Sequence, residues 1–131
     1  MAERRPVFQL KVTSHFSSSH QLRNYQGRCE DLHGHNFRVE AWVEGERLDP
    51  DTEILMDFKE LKSKLAEVLD GLDHKHLNEL APFEEHNPSS ENLARFIYQE
   101  LEKRLPLEGA LRLLRVGVSE NENSQAFYLE R

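Results

Sequence analysis

The densest chemistry in this chain of 131 residues lies in RCEDLHGHNF, residues 28–37. It holds the only cysteine, Cys29, and two of the seven histidines, His33 and His35. Two residues apart on a strand, two side chains leave the same face about 6–7 Å apart. That lets two imidazoles converge on one ion with bonds of about 2.0–2.1 Å. A third ligand must come from elsewhere, and His20 has the matching position if it ends a neighbouring strand. Three neutral imidazoles leave zinc an open fourth place, as in a catalytic site; iron, nickel or copper would also bind. Other ligand sets remain open at this level. Cys29 with His20, His33 and His35 would make a closed structural site. Two histidines with Glu30, Asp31 or Glu84 would suit non-haem iron. A lone H-x-H in a polar loop carries little by itself.

The elements that must position these groups follow from periodicity. Residues 7–16 alternate, with Phe8, Leu10 and Val12 on one face, and the same register continued passes Phe16 and reaches His20. Residues 35–45 alternate again, with His35, Phe37, Val39, Ala41 and Val43 on one face and His33 in the same register. Phe58, Leu61, Leu65, Val68 and Leu72 recur at helical steps, so a helix is expected over 57–70, opened by an Asp57/Glu60 capping box. A second helix is expected over 90–105, after Pro88-Ser89-Ser90 and before Pro106. The segment between the helices reads as irregular and holds His74, His76 and His86. Leu114, Val116 and Val118 predict a strand face ending at Glu120, NENS a turn, and QAFYLE a return strand. The order β-β-α-α-β-β predicts an α+β fold, one four-stranded antiparallel sheet with both helices on one face. His20, His33, His35 and Glu120 each fall where an apolar strand face runs out, so they gather at one end of the sheet. Glu122 replaces Glu120 if the register slips by two.

The formal net charge of −7 argues against a nucleic-acid-binding face. A single cysteine forms no internal disulfide, no charged-then-apolar leader opens the chain, and no apolar run approaches the roughly 20 residues that span a bilayer. A reducing cytoplasm is the expected compartment. Apolar residues make up only 37% of the chain, which points to further core supplied by partner chains.

Six stretches together carry a resemblance: FSSSH (16–20), CEDLHGH (29–35), LMDFKELK (55–62), LDHKHLN (72–78), SSENLA (89–94) and VSE (118–120). In this order and at these spacings the chain resembles the 6-pyruvoyl- and 6-carboxytetrahydropterin synthase family over nearly its full length. The Cys-x-x-x-His-Gly-His spacing is similar to the bacterial carboxy enzymes of queuosine biosynthesis. FSSSH stands where an alanine-containing stretch is more usual.

The resemblance implies the tunnelling fold, in which subunit sheets join into a barrel, with a hexamer and sites at subunit junctions. It implies that His20, His33 and His35 bind Zn2+, and that Cys29 is a catalytic thiol paired with Asp73 and His74. Glu120 would anchor a pterin, accepting adjacent N–H groups in a fork. The implied reaction converts 7,8-dihydroneopterin triphosphate to 6-carboxy-5,6,7,8-tetrahydropterin, acetaldehyde and triphosphate. A free thiol ionises near pH 8.5, so a cation such as His74 must favour the thiolate. Arg23, Arg28 and Lys75 are candidate partners for the triphosphate. A pyruvoyl synthase, which keeps the carbon side chain, and a non-catalytic zinc-binding module are the alternatives.

Overall fold

The computed structural model describes residues 3–131. Strand β1 runs Phe8–His20 and β2 runs His33–Gly45; α1 spans Phe58–Asp70 and α2 Ser90–Arg104; β3 is Arg112–Ser119 and β4 Ala126–Tyr128. Two short 3-10 turns, Leu77–Glu79 and Ala81–Phe83, lie between the helices. The sheet order is β1-β2-β3-β4 with every neighbour antiparallel.

Alternation determines which face is buried. Val12 and Phe16 of β1, Phe37, Val39, Ala41 and Val43 of β2, and Val116 and Val118 of β3 all turn inward. Leu61, Leu65 and Leu69 of α1 and Leu93, Ile97 and Leu101 of α2 cover them, forming one core. Both strands at the site end continue beyond the clear alternation, β1 through the serines to His20 and β2 from His33. One strand residue departs from expectation. Leu113, not Leu114, takes the core position, because the β2–β3 register shifts between Trp42 and Val43. An extra residue in a bulge reverses the faces beyond it.

Asp57 caps α1 by accepting from the Lys59 N–H at 2.8 Å. The return arm expected from Glu60 is not formed; only its backbone N–H reaches back, to the Asp57 carbonyl. Ser89 caps α2 by accepting from Asn92 N–H. That helix ends where Leu105 turns extended before Pro106, since the residue before a proline disfavours helix. Among the described residues no helix is long and apolar enough to cross a membrane.

Candidate active site

His20 and His33 are direct cross-strand partners at the end of the β1–β2 ladder, and His35 lies opposite Ser18. The pleat therefore turns all three rings to the core-side face. Phe37 forms the floor, with its ring edge-on to His20 and His35 at 5.3 and 5.4 Å and stacked on Phe16. One nitrogen from each histidine lies within 4.8 Å of the others. Glu30, Asp31, Glu84 and Cys29 do not join this group.

Two of the rings have their tautomer set by the backbone. His20 Nδ1 lies 2.8 Å from the Pro88 carbonyl, and His33 Nδ1 lies 2.8 Å from the Asp31 carbonyl. A carbonyl only accepts, so each Nδ1 carries a hydrogen, and in the neutral form Nε2 is left bare to meet a metal. This is the outer-shell arrangement of metal-binding imidazoles. Burial is the main cause holding His20 below the ordinary imidazole range, against the opposing pull of the Pro88 hydrogen bond and the Glu120 charge. His20 thus stays neutral, as a ligand must. His35 Nε2 is buried without a hydrogen-bond partner. Three converging ring nitrogens, one of them buried without a partner, fit a divalent transition metal. Gly34 is not needed for close approach; a Cβ there would meet only the Ser18 carbonyl, at 3.7 Å.

Glu120 follows directly on β3. Its carboxylate spans two of the rings, one oxygen 3.4 Å from His20 Nε2 and the other 3.4 Å from His35 Nε2. It also borders a cleft of about 270 Å³ lined by Ser89, Ser90, Glu91 and Gln125. A second cleft of about 240 Å³ is bordered by His33, Cys29, Arg28, Glu30 and Tyr25. Cys29 is exposed in it. Glu30 is occupied in holding this loop: its carboxylate accepts from Leu22 N–H at 3.1 Å, and its carbonyl accepts from Gln21 Nε2 at 2.9 Å.

Asp73 and His74 form a pair of their own. His74 Nδ1 lies 2.9 Å from one Asp73 oxygen, and the other oxygen accepts the Ser17 N–H at 2.8 Å. The Ser17 N–H, and secondarily His74, hold the Asp73 carboxyl below its usual range. His74 has φ 55°, a left-handed conformation that costs energy for a non-glycine residue. Neighbouring bonds hold it there: His74 N–H donates to Ser17 O, Ser19 N–H to Lys75 O, and Ser19 Oγ bonds His76 Nδ1 at 3.0 Å. The Ser18 hydroxyl donates to Leu72 O. The serines of FSSSH thus fasten the inter-helix segment along the outer edge of β1. Cys29, in the loop leading into β2, borders a cleft that neither Asp73 nor His74 lines.

Of the expected phosphate partners, Arg23 is used elsewhere. Its guanidinium donates to the carbonyls of Asn78, Phe83 and His86. Sequence reasoning missed two asparagines that hold the chain just after His20. Asn78 exchanges a pair of hydrogen bonds with the backbone of Gln21, and Asn87 does the same with Arg23. The only sequence signal was that both fall in the irregular segment between the helices, where an asparagine amide can stand in for backbone.

A family model described as 6-pyruvoyl tetrahydropterin synthase matches residues 9–131. A 6-carboxy-5,6,7,8-tetrahydropterin synthase from Synechocystis sp. is 38% identical over 92 residues, covering 67% of this chain and 70% of the relative. The 6-pyruvoyl tetrahydrobiopterin synthase of Homo sapiens is 34% identical over 122 residues, covering 90% and 81%. In structure, the chain is similar to the 6-pyruvoyl tetrahydropterin synthase of Caenorhabditis elegans, with TM-score 0.82, 23% identity and coverage of 99% and 100%. With its four-stranded sheet, two helices and histidine cluster, the chain belongs to the 6-pyruvoyl tetrahydropterin synthase family.

Proposed function

We propose that this protein is a zinc-dependent 6-carboxy-5,6,7,8-tetrahydropterin synthase acting on 7,8-dihydroneopterin triphosphate. One observation carries the reading: three imidazole nitrogens converge while Cys29 stays outside their group and shares a cleft with His33. A thiol that ligated the ion would close the site; a thiol beside it is free to move protons. The short Cys29-to-His33 spacing and the name of the Synechocystis relative favour the carboxy product.

His20, His33 and His35 would hold the ion. Zinc, when bound, supplies Lewis-acid polarisation of the substrate's side-chain oxygens. Glu120 accepts two adjacent N–H groups of the pterin and fixes the ring in the cleft beside it. Cys29 takes a proton from the side-chain carbon and returns one later. His74, oriented by Asp73, relays that proton. One water supplies the second carboxylate oxygen, and release of acetaldehyde and triphosphate leaves the carboxylate on the ring.

Within one chain His74 does not line the cleft of Cys29, which supports a site completed between subunits. The edge of β4 and the part of the β1 edge ahead of Ser17 support the same arrangement, since unpaired edges invite joining sheet to sheet. A homo-oligomer, a hexamer in this reading, would bring Asp73 and His74 of one subunit to Cys29 of another. Arg28 and Lys75 remain the candidates to meet the triphosphate.

The test is to incubate the zinc-loaded protein with dihydroneopterin triphosphate and measure product mass and acetaldehyde. Acetaldehyde with a carboxypterin supports the reading. A product that retains the three-carbon side chain, without acetaldehyde, makes it a pyruvoyl synthase. No turnover in the zinc-loaded oligomer favours a binding module.

A further inference from the structure

Glu120 stands in two places at once. Its carboxylate borders the cleft assigned above to the pterin, yet it also touches two of the three imidazoles. Neither contact is a hydrogen bond. His20 Nε2 carries no hydrogen, because its Nδ1 hydrogen is held by Pro88 O, and His35 Nε2 has no hydrogen-bond partner. A carboxylate facing the bare Nε2 of His20 is repelled unless a cation lies between them.

The distances put Glu120 within a side-chain rotation of a shared cation. A tetrahedral ion with bonds of about 2.0–2.1 Å sets its ligand atoms about 3.4 Å apart along each edge. One Glu120 oxygen lies 3.4 Å from His20 Nε2 and the other 3.4 Å from His35 Nε2, so a rotation that turns one oxygen inward is needed to complete the ligand set. The His20–His33 separation, 3.1 Å, is close to the same edge.

We infer that Glu120 is a displaceable fourth ligand. With no substrate present its carboxylate closes the metal site. A pterin entering the adjacent cleft offers N–H groups to the same oxygens and draws the carboxylate off, opening one metal position only when substrate is in place. The inference rests on the metal and pterin readings proposed above.

The backbone suits such an exchange. Glu120 is anchored at the end of β3 and followed by a turn in which Asn121 Oδ1 accepts from Asn123 and Ser124 N–H. Only the side chain need rotate between the ion and the cleft. The exchange breaks one metal–oxygen bond and forms two N–H···O bonds, with no change in oxidation state. Closure by a carboxylate also lowers the resting site's positive charge, so stray phosphate is attracted less before substrate arrives.

The experiment uses the oligomer as purified, loaded with cobalt(II) as a coloured stand-in for zinc, and neopterin as a non-phosphorylated probe. The visible spectrum of the native protein should differ from that of Glu120→Ala without neopterin. Adding neopterin should move the native spectrum towards that of the variant. Zinc affinity, measured against a competing chelator, should fall roughly tenfold or more in Glu120→Ala. Glu120→Gln, which keeps the shape but removes the charge, should behave alike and guards against a folding effect. Coincident cobalt spectra, with zinc affinities within about twofold, overturn this inference and leave the zinc-enzyme reading intact. A spectrum that neopterin leaves unchanged, although neopterin binds, overturns the displacement. Failure to bind cobalt or zinc, or failure of the loaded protein to bind neopterin, overturns the underlying reading and this inference with it.

Discussion

The Nε2 atoms of His20 and His33 face each other across 3.1 Å. When both rings are neutral, backbone carbonyls hold the only hydrogen of each, at Nδ1. Two bare lone pairs at this distance repel, and burial of His20 works against protonation as the remedy. A metal ion converts the repulsion into two bonds. Binding that favours the folded state stabilises it by about 2.7 kcal/mol at ligand 100-fold above Kd. Zinc should therefore raise Tm by on the order of 10 °C, and a chelator should reverse it. His33→Ala should remove the zinc response. It is a cleaner test than His20→Ala, because His20 is only 1% exposed and its loss also leaves a hole in the core. Calorimetry with and without zinc checks this; an unchanged zinc response in His33→Ala contradicts it.

Cys29 is exposed and stands outside the converging nitrogens. Cys29→Ala should bind zinc within about twofold of the native affinity. Its turnover should fall roughly 10²- to 10⁴-fold, the range for loss of a proton-transfer group. Zinc loss in this variant would make the sulfur a ligand.

Asp73 does two separable things. One oxygen takes the Ser17 N–H and the other the His74 ring. Asp73→Asn keeps an oxygen for Ser17 and loses the acceptor for His74. Asp73→Ala loses both. The asparagine variant should keep Tm near native and lose roughly 10²-fold in kcat, whereas the alanine variant should lose Tm as well. The carboxyl is held below its usual range in the folded protein. Its stabilising effect is therefore present above the ordinary carboxylate pKa and is lost as pH falls through the lowered folded value. The stability gap between native and Asp73→Ala should be full at neutral pH and should close in acid. Urea titrations at several pH values measure it; a gap that widens in acid would contradict the assignment.

Much of the site was legible because strand parity is strict. Extending the alternation of β1 and β2 by a few residues placed His20, His33 and His35 on one face, and the same count on β3 placed Glu120 beside them. The count failed at Leu114, where the bulge opposite Trp42 and Val43 shifts the register. Nothing in a single strand's sequence marks a bulge that depends on its partner. The Asp57–Glu60 pattern signalled the helix start correctly, yet only the Asp57 arm formed. Asp73 lies in a local turn. Its role depends on Ser17, which is 56 residues away in the chain. The three carbonyl partners of Arg23 likewise lie beyond the reach of any local pattern.

The asparagine clamps give a prediction away from the chemistry. Asn87 pairs with the Arg23 backbone through both ends of its amide, and the next residue, Pro88, supplies the carbonyl that orients His20. Asn87→Ala should cost about 1–3 kcal/mol through unpaired backbone groups. It should also weaken zinc binding roughly tenfold by freeing Pro88. Asn87→Asp, which keeps the acceptor and loses the donor, should fall between. Denaturant unfolding of the metal-free protein and zinc titration of the folded protein separate the two effects. Unchanged zinc affinity in Asn87→Ala would mean that the clamp supports only the loop.

X-ray absorption at the zinc edge of the loaded, substrate-free protein tests the central claim most directly. The account predicts a shell of nitrogen and oxygen scatterers at about 2.0–2.1 Å, with the signature of three imidazoles. A sulfur scatterer at about 2.3 Å, or an ion held by fewer than three imidazoles, would contradict it.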